Sequence, residues 1–159
     1  MTNLRVGIGH DTHRLGPGRP LILGGVSIPH EQGLIGHSDA DVVLHALADA
    51  LLGAVGRGDI GEWFPDTDPA NKDLDSRKLL REIHTKAVEP ARVVNVDCIV
   101  FAQKPKLGPH KQAIRESIAS LLGIPAENVN VKAKTGEQVG PIGRQEAISA
   151  EVAVLVEHV

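Results

Sequence analysis

The sequence predicts an α+β (mixed α/β) fold: a single mixed sheet with helices on one face, its other face buried against copies of the same chain. Three observations lead there. The apolar patterns run in the order β-ββ-α-loop-α-β-α-β-β with mostly short connections, which favours neighbouring elements in one sheet with helices laid on it. Several expected strands carry Val or Ile on one side and Ala, Ser or Asn on the other, so neither side is freely solvated. Aromatic residues make up only 2% of the chain (Trp63, Phe64 and Phe101, with no Tyr), leaving Val, Leu, Ile and Ala to build the core. Such side chains bury less area each than aromatics do, and burial between symmetric copies compensates.

The elements follow in order. LRVGI (4–8) reads as a short first strand, after which GHDTHRLG turns away. LILGGVSI (21–28) is two strand pieces around Gly24-Gly25, a hairpin pattern. The clearest helix is 39–54, DADVVLHALADALLGA, capped by Ser38 or Asp39. Residues 56–74 carry Gly, Pro and Asp throughout and read as a long irregular loop, a length that usually serves function, with Trp63-Phe64 packing part of it. Asp75 or Ser76 caps a second helix to about Ala87. RVVNVDCIVFA (92–102) alternates as a strand with Val94, Val96, Cys98 and Val100 on one side. Gly108-Pro109 opens a third helix and Gly123 closes it. NVNVKAK (128–134) and AISAEVAVLVEHV (147–159) are the last strands, the latter with Ile148, Ala150, Val152, Val154 and Val156 on one face.

Composition bounds the function. With 159 residues and no linker or repeat, the chain is expected to form one domain, 1–159. A formal net charge of −3 provides no electrostatic footprint for nucleic acid, and no apolar run reaches membrane-spanning length. One cysteine, Cys98, excludes an intrachain disulfide framework; with no signal-peptide pattern in MTNLRVGIGH, a cytoplasmic location is expected. Eight histidines against that single cysteine draw attention to imidazole chemistry.

In an extended segment, residues i and i+2 point the same way, so Asp11 and His13 can converge on one point. At about 100° per residue, Ser38, Asp41, His45 and Asp49 share a narrow helical stripe, with Val43, Leu47, Ala50 and Ala54 opposite. Imidazole and carboxylate from two elements suit Zn²⁺, and three protein ligands leave a fourth position open. Asp41 or Asp49 would then orient His45 from behind. On spacing alone, the plainer alternatives are a capping Asp11, a solvated His13 and a hydrogen-bonded helix His45.

IGHDTHRL, IPHEQGLIGHSDADVVLHALADALLGA, GDIGEWFPDTDP, AQKPKLGPH, VNVKAKTGE and a final GR occur in this order. In these motifs the chain resembles the 2-C-methyl-D-erythritol 2,4-cyclodiphosphate synthase family over essentially its whole length. The resemblance implies a homotrimer with active sites at subunit interfaces, and Zn²⁺ on Asp11, His13 and His45. It implies a second cation, Mg²⁺ or Mn²⁺, on Glu137. The implied substrate is the small molecule 4-diphosphocytidyl-2-C-methyl-D-erythritol 2-phosphate, whose 2-phosphate attacks the β-phosphorus and expels CMP. No protein nucleophile is needed, in keeping with the lack of a Ser/His/Asp or Cys/His triad; the protein must align two repelling phosphates and neutralise their charge.

Further roles carry over from the resemblance one residue at a time. His37 and Thr135 stabilise the transition state, and Ser38 joins Asp11, His13 and His37 on the substrate. Asp59, Ile60 and Gly61 match the stretch that holds the methylerythritol hydroxyls. Phe64, Pro65, Asp66, Thr67 and Asp68 match a mobile substrate loop, in which Asp66-x-Asp68 reads as a Pro-flanked turn rather than a metal site. Ala102, Gln103, Lys104, Pro105, Lys106, Leu107 and Gly108 match a cytosine pocket. Lys134, Thr135, Gly136 and Glu137 match the diphosphate segment, and Arg144 a phosphate contact, with Glu146 as an ion-pair partner. This chain departs from the family in having Lys134 and Gly136 where threonines are common, and Pro141, on the substrate side, in place of a common aromatic. His10 also stands where an aromatic is frequent, lining the implied central channel. A zinc hydrolase and a noncatalytic trimer with a structural metal are competing classes that the same ligand set would serve.

Overall fold

The computed structural model describes residues 3–158; Met1 and Thr2, in the stretch read for a targeting signal, and Val159, the last residue of the expected final strand, lie outside the described residues. A five-stranded mixed sheet is built from β1 (Asn3–Gly16), β4 (Gly33–Ile35), β5 (Arg92–Phe101), β6 (Val129–Lys134) and β7 (Ala147–His158), in the order β4-β1-β7-β5-β6. All its pairs are antiparallel except β5–β6. The expected hairpin forms from β2 (Leu21–Leu23) and β3 (Val26–Ile28); Gly24 (φ 61°) and Gly25 (φ 78°) supply the left-handed backbone of a two-residue turn. Helices α1 (Val42–Val55), α3 (Ser76–Ile83) and α4 (Lys111–Leu122) pack together with one face of the sheet.

Several local expectations are corrected. The first strand does not end at Ile8. It continues through Asp11-Thr12-His13, pairing with β7 from Asn3↔His158 to Arg14↔Ala147 and with β4 from Arg14↔Ile35 to Gly16↔Gly33. Its glycines are sites of close approach, not turns: a Cβ on Gly7 would lie 1.8 Å from the Ala50 carbonyl oxygen of α1. Neither Ser38 nor Asp39 caps α1. Asp41 does, accepting from Val43 and Leu44 at 3.1 Å each, and its carboxylate also accepts from Gly24 N (2.8 Å) and Gly25 N (2.7 Å). Four N–H donors thereby tie the hairpin turn to the helix start, although burial still pushes this carboxyl up to about 6.

In β5 a register shift between Val93 and Asn95 makes Val94 a bulge residue, so Val93 joins Val96, Cys98 and Val100 inside. Burial pushes the Cys98 thiol up to about 12, which makes it inert packing. The expected irregular loop holds two short turns, α2 (Ile60–Trp63) and a 3₁₀ turn Pro69–Asn71, capped by Asp59 and Asp68. After α3 the chain continues as a π-helical stretch His84–Val88, and a short α5 (Gly140–Gly143), not expected from the sequence, precedes β7. The inward side of β7 follows the expected period: Ile148, Ala150, Val152, Val154 and Val156 are buried. On the opposite face of β1, Leu4, Val6 and Ile8 are 51%, 70% and 77% exposed.

Candidate metal centre

Alternation along β1 places Gly7, Gly9, Asp11 and His13 toward α1. Because the glycines let the helix backbone come down onto the strand, His45 on α1 reaches the end of that row. His45 Nδ1 lies 3.0 Å and His13 Nε2 3.1 Å from the same carboxylate oxygen, Asp11 Oδ2. The rings meet edge-on, with centroids 5.5 Å apart and planes at 63°. One ligand atom from each of the three residues lies within 4.8 Å of the other two.

The outer ring nitrogens are already engaged. His13 Nδ1 is 2.9 Å from the Ile35 carbonyl oxygen, which can only accept, so Nδ1 carries the hydrogen. His45 Nε2 lies 2.9 Å from Ser76 Oγ and 3.2 Å from Ser38 Oγ. Neutral rings therefore aim the lone pairs of His13 Nε2 and, with the hydrogen on Nε2, of His45 Nδ1 at a carboxylate oxygen. Three electron-rich atoms this close require a cation or protons between them. Tetrahedral zinc with bonds of about 2.1 Å has ligand–ligand edges of about 3.4 Å, close to the two spacings seen. The residues fit a divalent metal, with small adjustments.

The electrostatics agree. Burial pushes the Asp11 carboxyl up, but hydrogen bonds and charge from His13 and His45 outweigh it and hold the group well below the usual carboxylate range. Burial pushes the His13 imidazole down, and Asp11 more than reverses this, leaving it above its ordinary value. Neither Asp41 nor Asp49 orients His45, contrary to expectation. Asp41 is the helix cap, while Asp49 accepts from Ile60 N at 2.7 Å and so anchors α2. The partners behind His45 are instead Ser76 and Ser38. Spacing could not reveal Ser76, which arrives from another helix 31 residues later.

The triad opens into a cavity of about 270 Å³ also lined by His37, Ser38, Ile60, Gly61, Phe64 and Asp66. Asn71, Leu74 and Leu79 complete the wall, none singled out from sequence. Arg19 grips the segment beneath His37 by donating to the carbonyls of Gly36 (2.7 Å) and Ser38. Asp59 and Asp68 are spent on caps, accepting from Glu62 N (3.0 Å) and Ala70 N (2.9 Å); Pro65 and Thr67 are exposed nearby in sequence.

The remaining expected site residues gather elsewhere. The segment Ala102–Gly108 follows β5 and Lys134–Glu137 ends β6; Ala102 N donates to Lys134 O (2.8 Å) and Gln138 N to Gln103 Oε1 (3.2 Å). Gln103, Lys104, Pro105 and Lys106 are exposed or half-buried there, with Leu107 buried. Thr135 Oγ1 accepts from Glu137 N (3.2 Å), and Glu137 is exposed with φ 50°. Gly136 tolerates no Cβ, which would lie 2.5 Å from Gly143 N. Pro141 and Arg144 follow on α5 and at its end, with Arg144 Nε 2.9 Å from Glu146 Oε1. The pairings Thr12↔Ser149, Ser149↔Phe101 and Phe101↔Lys134 put Lys134 three strands from Thr12 in one row, about 14 Å away. The two groups of expected site residues thus stand at the same end of the sheet.

Fold and site together define an α+β protein with a candidate divalent-metal centre in the wall of a cavity. A model of the YgbB family matches residues 4–157, and the chain belongs to that family. It is 56% identical over 155 residues to the 2-C-methyl-D-erythritol 2,4-cyclodiphosphate synthase of Burkholderia thailandensis, covering 97% of this chain and 96% of that one. To the enzyme of the same name from Nitrosomonas eutropha it is 54% identical over 159 residues, with coverage of 99% and 95%. A solved 2C-methyl-D-erythritol-2,4-cyclodiphosphate synthase in its CDP-bound form superposes with a TM-score of 0.86 at 39% identity, covering 96% of this chain and 99% of that one.

Proposed function

We propose that this chain forms 2-C-methyl-D-erythritol 2,4-cyclodiphosphate, a lyase-type ring closure in isoprenoid biosynthesis, with residues 1–159 acting as one cytoplasmic synthase domain. The observation that carries the reading is the convergence of Asp11, His13 and His45 beside the cavity, in a chain matched by the YgbB family over residues 4–157. No helix among the described residues is long and apolar enough to cross a membrane. The substrate is 4-diphosphocytidyl-2-C-methyl-D-erythritol 2-phosphate. An oxygen of its 2-phosphate forms a bond to the β-phosphorus, the bond from that phosphorus to the bridging oxygen of the CMP moiety breaks, and CMP leaves with that oxygen.

Zn²⁺ on the triad, and Mg²⁺ or Mn²⁺ on Glu137, supply charge neutralisation and phosphoryl polarisation when bound. The chain's own residues do the rest. Gly61 and the Asp49-anchored Ile60 place the erythritol part; Phe64 and Asp66 bound the cavity and limit water. Ser38 and His37 present donors held in place by the Arg19 grip. Thr135, Lys134 and Arg144 donate to the diphosphate, while backbone groups of 102–108 read the cytosine edge.

A substrate bridging both half-sites fits an assembly in which one copy contributes the metal half and a neighbour the cytidine half. Asp11 and His13 face the helices, Lys134 faces the other side, and about 14 Å of sheet separates Lys134 from Thr12, which lies between Asp11 and His13. A homotrimer packed on the exposed Leu4–Val6–Ile8 face satisfies this geometry and covers that apolar surface. The test is incubation with the cytidylyl substrate, followed by ³¹P NMR. Cyclic diphosphate and CMP are the expected products; linear products with inorganic phosphate would instead make the protein a hydrolase, and CDP binding without turnover a binding protein.

A further inference from the structure

We infer that Ser76 and Asp39 are positioning residues for the metal centre, selecting the ring tautomer that lets His45 serve as a ligand. The inference rests on the reading of Asp11, His13 and His45 as metal ligands. Ser76 is fully buried at the first position of α3, and its hydroxyl has a single hydrogen. That hydrogen goes to Asp39 Oδ1, while Ser76 N donates to Asp39 Oδ2 at 3.0 Å and Asp41 N to Asp39 Oδ1 at 3.2 Å. With its hydrogen committed, Ser76 Oγ can only accept from His45 Nε2, 2.9 Å away. Nε2 must therefore carry the ring hydrogen, and the Nδ1 lone pair is left facing Asp11 Oδ2. The run Asp39–Ser76–His45 is a carboxylate–hydroxyl–imidazole chain ending at the ligand atom, the kind of support that fixes ring orientation and raises ligand basicity.

The same logic separates the two serines. Ser38 Oγ accepts from Ala40 N at 3.1 Å and lies 3.2 Å from His45 Nε2, which already bears a hydrogen. Ser38 therefore has no use for its own hydrogen at His45 and can donate it into the cavity it lines. Ser76 holds the ligand and Ser38 remains for the substrate. The arrangement also couples the cavity wall to the metal centre, because Asp39 N donates to Leu74 O (3.3 Å) and Asp73 N to His37 O (2.9 Å) at the end of the long loop.

The test uses full-length, metal-stripped protein titrated with zinc alone against a chromogenic chelator. Ser76→Ala is expected to weaken zinc binding about 10–100-fold. It should also shift the visible absorption of the cobalt-substituted protein, a signature that a purely structural role would not move. Asp39→Asn, which keeps the shape but removes the charge and one acceptor, should weaken zinc binding in the same direction by a smaller factor. Folded Ser76→Ala protein with wild-type zinc affinity and an unchanged cobalt spectrum overturns the proposal. Should that variant not fold, Asp39→Asn with wild-type affinity overturns it equally. If the wild-type protein itself holds no zinc, the metal-centre reading falls first, so the two failures are told apart.

Discussion

Gly9 of β1 and Ala46 of α1 are in backbone contact: a Cβ on Gly9 would stand 1.9 Å from the Ala46 carbonyl oxygen and 2.8 Å from Ala50 N. The contact lies two residues before Asp11 on β1 and one residue after His45 on α1, so it sets the separation between the candidate strand ligands and the candidate helix ligand. Gly9→Ala cannot be absorbed by rotating a side chain. It is expected to cost about 3 kcal/mol or more, the range of severe overpacking, and to lower zinc stoichiometry even in the folded fraction. Urea denaturation and metal analysis of the same sample check both halves.

His45→Ala should remove the bound zinc and reduce turnover at least about 1000-fold, the scale of a lost charge-stabilising group. The fold should survive, because alanine suits the interior of α1 and the apolar side of that helix is untouched. Circular dichroism, atomic absorption and product assay separate these effects; stoichiometric zinc in the variant would exclude this ligand set.

The metal-free and zinc-bound proteins should respond to pH in opposite senses. The imidazole of His13 in the folded state lies above its ordinary 6.5: burial lowers it and Asp11 more than restores it. Its contribution to metal-free stability is complete below 6.5 and is lost as pH rises through the folded value. Asp11, held below 3.8, contributes above 3.8 and loses its contribution only as pH falls toward its own folded value. Zinc needs the neutral ring, so its affinity grows where the metal-free stability from this pair declines. From about pH 6 to about pH 8 the zinc-induced rise in Tm should widen, as thermal scans with and without metal would show.

Ile8→Glu places a charge at a position 77% exposed on the uncovered face of β1. Buried between copies, that charge would oppose assembly, so sedimentation should shift from trimer to monomer with loss of turnover and retention of zinc. A wild-type protein that sediments as an active monomer would defeat the shared-site reading.

Glu137→Gln removes an exposed carboxylate in the half-site remote from His13 while keeping its shape. Turnover should lose its dependence on added Mg²⁺ or Mn²⁺, with zinc content unchanged. Metal titration of the steady-state rate reads the first and elemental analysis the second.

Much of this architecture is legible in the chain because it is local. The Gly24-Gly25 hairpin, the α1 stripe and the alternation of Ile148 to Val156 each follow from a few neighbouring residues and one periodicity. Local pattern misleads where a residue answers to something distant. Gly9 reads as the start of a turn, yet its small size, like that of Gly7 inside the expected strand, serves a helix some 40 positions later. Val94 should alternate inward, but the register with β7 makes it a bulge. Asp41 lies on the ligand stripe, yet two hairpin amides and two helix amides take its carboxylate.

The sequence by itself determined the residue types of the centre, an Asp and two His placed to offer oxygen and nitrogen to one cation, and the motifs that mark the family. Tertiary structure decided which lone pairs face inward, because that depends on the Ile35 carbonyl behind His13 and on Ser76 and Asp39 behind His45. It also decided that Lys134 stands in the same cross-strand row as Thr12, three strands and about 14 Å away, because sheet order, unlike strand identity, is set by long-range pairing and not by local pattern.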